Sequence, residues 1–226
     1  MQYRLLSIAL MAAVAGCSPT APSGASGDAN PSAETRPATP EPAPAASRDG
    51  PFGLAMGMTR EEVREAMGRA PIEEEDGFAH FDTAPKPHPQ LSDYLAMSSP
   101  TEGLCKVVGV STVESNRFGH QVSERVNMFV AALTAKYGQP SFTRDRVLDG
   151  SLWDDPEDYM MGLLEQDRLV VYVWDPDKVE LPGDLRTIAV MAEGLSTSTA
   201  RISVGYEFEN MQACSEENKR KSNEAL

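Results

Sequence analysis

The stretch GHQVSERVNMFVAALTAKYGQP, residues 119–140, carries the strongest helix signal in the chain and decides the fold class. Its apolar residues recur at three- and four-residue spacing, the period that places them on one face of an α-helix. Gly138 is a typical helix stop, and Pro140 prevents continuation. The stretch therefore predicts a helix with one buried face, formed by Val122, Val126, Phe129, Val130, Leu133 and Tyr137.

The stretch GMTREEVREAMGRAP, residues 57–71, follows the same plan on a smaller scale. Thr59 and Glu62 have the spacing of a capping box, Gly68 is a stop and Pro71 follows it. In both stretches the glycine and the proline precede a predicted strand. This favours a tandem repeat of helix-plus-sheet units, residues 51–118 and 119–214; the alternative is that two unrelated helices share common stop residues.

The rest of the domain alternates apolar and polar residues, which is typical of strands with one buried face. In the last strand Ile202, Val204, Tyr206 and Phe208 point to one side, whereas Arg201, Ser203, Gly205 and Glu207 point to the other. Helices placed among antiparallel strands predict an α+β domain, with short helices packed on an antiparallel sheet. The predicted strands are residues 73–81 (turned at 76–77), 94–97, 104–113, 144–148, 169–174, 185–192 and 200–208, with a short helix at 154–164 and a polar tail from 215.

The first residues have the layout of an export signal. Arg4 precedes an apolar run of about a dozen residues, shorter than the roughly twenty that a membrane-spanning helix needs. The run ends in Val14-Ala15-Gly16-Cys17, which resembles the lipobox of bacterial lipoproteins at every position. The resemblance implies a signal peptide of residues 1–16 and acyl chains on Cys17; the alternative is an ordinary secretory signal with an incidental cysteine.

The same resemblance implies a location. Ser18 stands where Asp often marks inner-membrane retention in enteric bacteria, so the outer membrane is favoured over the inner one, with the domain on the periplasmic face. Residues 17–50 are rich in Ala, Pro and Ser and have almost no large apolar side chain, which predicts a disordered linker. Residues 51–226 are then a single domain of sufficient size to bury a core, with a polar C-terminal tail.

The chain has three cysteines. If Cys17 carries lipid, Cys105 and Cys214 are left in an oxidising compartment, where a disulfide can persist. We therefore predict a Cys105–Cys214 disulfide. The alternative is a redox or metal pair, but neither cysteine belongs to a C-x-x-C motif or adjoins a histidine.

The composition is strongly acidic, with 34 acidic against 20 basic residues. Such a surface repels phosphate backbones and anionic headgroups, which argues against nucleic acid and against any membrane contact beyond the lipid anchor. It favours a cationic partner, or it keeps an exported protein soluble.

Catalytic and cofactor motifs are missing from the sequence. It contains no H-E-x-x-H, no G-x-S-x-G and no phosphate-binding glycine loop, and His80, His88 and His120 are scattered. We predict no catalytic residue, no metal site and no cofactor.

One acidic and aromatic stretch stands out in the second half. Trp153, Asp154, Asp155 and Tyr159, together with Trp174, form a candidate interaction patch, because aromatic residues dominate interface hot spots. The alternative is that the acids begin a helix at Pro156 and that the aromatic residues belong to the core.

Residues 57–71 also resemble the opening of the SmpA/OmlA-type outer-membrane lipoproteins, "G-M-T/S-x-x-x-V-x-x-x-x-G-x-P". The match rests on Gly57-Met58-Thr59, Val63 and Gly68; Pro71 follows one residue later than in the pattern. One protein of that type is a subunit of the β-barrel assembly machine. A similar opening occurs in the β-lactamase-inhibitory-protein fold, which consists of two tandem repeats. The resemblance implies a helix-plus-antiparallel-sheet fold at the outer membrane.

Together these features predict a lipid-anchored, non-enzymatic interaction module of the bacterial envelope, in outer-membrane assembly or integrity, with an envelope protein as its partner. A first alternative is an anchored inhibitor or binder of a cationic enzyme or peptide. A second alternative is an unrecognised hydrolase. The oligomeric state is not predicted.

Overall fold

The computed structural model describes residues 50–75 and 77–224. The predicted signal peptide, Cys17 and the linker up to residue 49 lie outside the described residues. The helices are α1 (Arg60–Met67), α2 (His120–Tyr137), α3 (Tyr159–Leu164) and α4 (Met211–Glu224). The strands are β1 (Glu73–Glu75), β2 (Phe78–Phe81), β3 (Asp93–Ser99), β4 (Gly103–Glu114), β5 (Phe142–Val147), β6 (Arg168–Trp174), β7 (Leu185–Gly194) and β8 (Thr199–Phe208).

The eight strands form one antiparallel sheet in the order β1-β2-β3-β4-β8-β7-β6-β5. This confirms the α+β class with short helices on an antiparallel sheet. Each half of the chain contributes four strands, and the last strand of each half, β4 and β8, pair at the centre. The order of the strands is therefore symmetric about this pair, while the tandem repeat itself stays a prediction.

One face of the sheet, which we call the first face, carries the main core; the opposite face is the second face. Directly opposed residues of neighbouring strands share a face, so the register places Ala96, Val107, Tyr206, Ile188 and Trp174 in one row on this side. The helices α1, α2 and α3 cover this face with their apolar sides. The apolar residues predicted to line α2 are among them, and the helices and the sheet face together form a single hydrophobic cluster.

Local signals placed the helices well. Thr59 caps α1 by accepting a hydrogen bond from the Glu62 amide, and the Glu62 carboxylate accepts one from the Thr59 amide, as the capping box predicted. Gly68 adopts the left-handed conformation that ends α1. The predicted strand 73–81 is divided into β1 and β2, and the polar tail is a helix from Met211, four residues earlier than predicted.

Cys105 of β4 and Cys214 of α4 form the predicted disulfide. Both residues are fully buried beside Met97, in a small cluster separate from the main core. The bond ties α4 to the side of the sheet opposite to α1, α2 and α3.

Candidate interaction surface

Two residues of the predicted interaction patch lie in the core. Trp174 is 0% exposed, and its indole Nε1 donates to the Gly138 carbonyl over 2.8 Å. Tyr159 is buried under the Arg168 guanidinium, whose central carbon lies 4.5 Å from the ring centroid, and burial raises the pKa of the Tyr159 hydroxyl. The prediction that these two residues belong to an exposed patch is therefore wrong, because the first face needs their rings to fill its core.

The remaining residues of that patch precede α3. Trp153 is half-buried against Gly162, while Asp154 and Asp155 are exposed. Asp155 occupies the position before a short 3-10 turn that starts at Pro156, and its side chain makes no capping hydrogen bond. The structure therefore does not bring the five residues together.

The second face of the sheet offers a better surface. One row across it consists of Leu95, Val108, Gly205, Ala189, Val173 and Phe142, in that order from β3 to β5. The next row consists of Asp93, Val110, Ser203, Met191, Val171 and Arg144. The centre of this face is therefore apolar although it lies outside the main core.

Small residues make a trough along the middle of this face. Gly205 of β8 is paired with Ala189 of β7, and Ser203 lies two residues along β8, where Met191 is its partner; Ser203, Gly205 and Ala189 have little or no side chain. Larger side chains flank them, with Val108 on β4 and Val173 on β6. We call this depression the β7–β8 trough; its floor is Ser203, Gly205 and Ala189.

Two cross-strand ion pairs close the ends of the trough. The Lys106 ammonium lies 2.8 Å from the Glu207 carboxylate, and the Arg201 guanidinium lies 2.8 Å from that of Glu193. Each charge has its counter-charge within the sheet, so these pairs contribute a polar boundary around the apolar centre.

Two large apolar side chains are exposed to solvent toward the β5 side of the second face. Phe142 is 46% exposed and Met191 of β7 is 37% exposed. Arg144 and Arg146 lie on the same side of β5 as Phe142, since alternate residues of a strand share a face. We call these two residues the rim arginines.

At the β3–β4 hairpin end, α4 already covers part of the second face. Its Glu217 is buried and accepts hydrogen bonds from the Thr101 amide over 3.1 Å and the Thr101 hydroxyl over 2.9 Å. A hydrogen bond from Ser99, followed by those from Thr101, lowers the pKa of the Glu217 carboxyl although burial opposes this. Asn210 and Asn218 add bonds to carbonyl groups of the β3–β4 region.

Other features give little support for chemistry. One surface pocket of about 240 Å³ lies between α1 and β1–β3, and another of about 540 Å³ lies between α2 and β4. Neither is lined by histidine, cysteine or lysine. Within residues 50–75 and 77–224, no three His, Cys, Asp or Glu side chains are grouped so as to hold a metal ion.

Comparison with models of known protein families, with curated proteins and with solved structures found no match in any of the three. The resemblance of residues 57–71 to the SmpA/OmlA-type lipoproteins therefore stays a prediction. A search of the described residues for a helix long and apolar enough to cross a membrane found none.

Sequence reasoning divided β8 correctly into two sides but did not single out the second face as a surface. The alternation of residues 200–208 separates Ser203 and Gly205 from Ile202 and Val204. To recognise the trough, one must know the register that places Ala189 beside Gly205 and which face of the sheet the helices cover. Neither is encoded in a single strand.

Proposed function

We propose that this chain is a lipid-anchored, non-enzymatic interaction module of the bacterial envelope, serving outer-membrane assembly or integrity, and that it binds an envelope protein on the second face of its sheet. The observation that carries the proposal is the apolar centre of that face, with Phe142 and Met191 exposed beside the trough. Exposed apolar surface bordered by polar residues is typical of protein interaction sites.

The anchor part of the proposal rests on Val14-Ala15-Gly16-Cys17 and Ser18. Acyl chains on Cys17 would hold the domain at the periplasmic face of the outer membrane, and residues 18–49 would set its reach. The domain would then present the second face to its partner.

Crosslinking in cells tests this proposal. A photo-reactive amino acid at Met191 should capture one dominant envelope protein. The same group at Lys219, exposed on α4, serves as the control position and should not capture it.

Gly205 provides a variant that blocks the surface with little harm to the fold. A Cβ atom at Gly205 would lie 3.8 Å from the nearest Val108 methyl, an ordinary contact distance. Gly205→Glu should abolish capture at Met191, whereas Gly205→Ala should retain it. Capture that is equal at Met191 and Lys219, or unchanged by Gly205→Glu, would contradict the proposal.

A further inference from the structure

We infer that the β7–β8 trough receives an amphipathic α-helix of the partner protein, with acidic side chains along the flank that faces β5. This inference rests on the proposed function, because it names the partner segment that the second face binds.

The width of the free surface fits one helix. Strands β8, β7, β6 and β5 lie side by side in the sheet, and at about 4.8 Å per strand they span roughly 14 Å. An α-helix with its side chains is about 10–12 Å wide.

The floor of the trough lets a helix approach closely. Gly205 and Ala189 offer no bulk at the centre, and Val108 and Val173 offer apolar walls on either side. A helix with apolar residues at positions i, i+3, i+4 and i+7 would place that stripe on the floor. The contact of α4 with Met97 and Cys105 shows that this face accepts a helix.

An extended strand fits the trough less well. A strand lying on the face of a sheet finds no backbone partners there, so its amide and carbonyl groups would lose water without gaining hydrogen bonds. A helix satisfies these groups internally, which favours a helix as the occupant.

The rim arginines specify the charge of the partner. Arg144 contacts the Phe142 ring, with 5.6 Å from its guanidinium carbon to the ring centroid. Arg146 lies 3.8 Å from Asp149, whose side chain is 96% exposed, so water screens this pair. Both cations can therefore bind carboxylates on the near flank of a docked helix.

This local charge is opposite to that of the whole chain. The net charge of −14 favours a cationic partner at long range, but Arg144 and Arg146 are the charges that border the apolar surface on the β5 side. Contact distances decide which charges matter in a bound complex, since charges beyond about 8–10 Å are largely screened at physiological salt.

Two synthetic helical peptides of about four turns test the inference. Both carry the same leucine stripe, and one has glutamates on its flank where the other has lysines. Titrated into the purified full chain, the glutamate peptide should bind about three- to tenfold more tightly than the lysine peptide. Added salt should reduce this difference.

Charge reversal identifies the contact. Arg144→Glu with Arg146→Glu should reverse the preference, and Gly205→Glu should abolish binding of both peptides. Lys219→Glu with Lys221→Glu on α4 is the matched control and should change nothing, because these exposed side chains lie outside the trough.

The outcomes separate this inference from the proposed function. Equal binding of both peptides, or no binding while Met191 still captures a protein in cells, overturns the helix inference alone. Loss of capture at Met191 refutes the proposed function. If the full chain elutes as a dimer that Gly205→Glu converts to a monomer, the occupant is a second copy and the inference is overturned.

Discussion

At the scale of single residues, two glycines illustrate opposite constraints. Gly205 has ordinary backbone angles and room for a Cβ atom, whereas Gly119 has a φ of +69° and a Cβ there would lie 1.9 Å from Tyr159 Cδ1. Gly205 thus reflects an open surface, and Gly119 reflects the close approach of a buried ring to the start of α2.

We therefore expect Gly205→Ala to leave the free energy of unfolding unchanged or to raise it by about 0.5–1 kcal/mol, because glycine weakens strand interiors. Gly119→Ala should lower it by more than about 1–2 kcal/mol, the cost of the left-handed conformation alone. Urea unfolding of both variants measures these changes. Equal stability of the two variants would contradict the geometry around Tyr159.

Glu217 makes α4 sensitive to acid. Because the pKa of Glu217 is lowered in the folded state by hydrogen bonds from Ser99 and Thr101, its contribution to stability is present above the ordinary glutamate pKa of about 4.3. It is lost as the pH falls through the lowered value.

Glu217→Gln should consequently be less stable than the native chain at pH 7, and the difference in thermal midpoint should shrink below about pH 4.3. Thermal unfolding of both proteins from pH 7 to pH 3 provides the measurement. Glu216→Gln, at an exposed neighbouring position, is the control for the removal of one carboxylate from α4. A constant difference across the whole range would refute the role of the Glu217 carboxylate.

At the scale of elements, the disulfide determines how firmly α4 is held. Cys105 and Cys214 are 109 residues apart, and in the chain-entropy model a loop of about 100 residues restricts the unfolded chain by up to about 4.7 kcal/mol. Asn210, Glu217 and Asn218 hold the same helix by hydrogen bonds, so α4 has two independent attachments.

Reduction should therefore destabilise the domain by about 2–5 kcal/mol without removing every contact of α4. Urea unfolding with and without a reducing agent tests this, and a variant with Cys105→Ala and Cys214→Ala should not respond to the reductant. Because both residues are 0% exposed, a thiol reagent should label neither in the native oxidised chain. Labelling before reduction would show that the pair is not bonded.

Elements with local stop and start signals were predictable from sequence. Thr59, Glu62 and Gly68 act within a few residues of one another, so α1 follows from chemistry that the sequence displays directly. Glu73–Glu75 of β1 is entirely exposed. Because β1 has no buried face, its sequence lacks the apolar alternation that would have shown where β1 ends and β2 begins. The α4 helix was underestimated because its buried side is narrow, with Cys214 and Glu217 as its buried residues.

The candidate site was less predictable for a related reason. Trp174 and Tyr159 attract attention as aromatic residues, yet the same large apolar surfaces that favour interfaces also favour cores. Their placement depends on which face of β6 the helices cover. The trough, in contrast, consists of Ser203, Gly205 and Ala189, residue types that carry no signal by themselves.

At the scale of the whole molecule, the sheet separates the main core from the surface proposed for recognition. The first face holds the main core under α1, α2 and α3, while the second face holds α4, the trough and the rim arginines. Phe52, near the start of the described residues, packs edge-on against Tyr94 and Tyr206 of the first face. The described chain thus begins on the side opposite to the trough, so a partner helix can bind there without meeting this segment.

This arrangement predicts that membrane attachment and partner recognition can be separated. Cys17→Ala should move the protein from the membrane fraction to the soluble periplasmic fraction, because acyl chains on Cys17 would supply the anchor. Ser18→Ala, one residue further, should stay with the membrane. Fractionation followed by immunoblotting measures both.

The purified Cys17→Ala protein should still distinguish the two peptides as the native chain does, since the trough lies within β4–β8 and shares no residue with the anchor. Persistence of Cys17→Ala in the membrane fraction would exclude lipid on Cys17 as the means of attachment. Loss of peptide discrimination in a folded, soluble Cys17→Ala protein would show instead that the anchor region takes part in recognition.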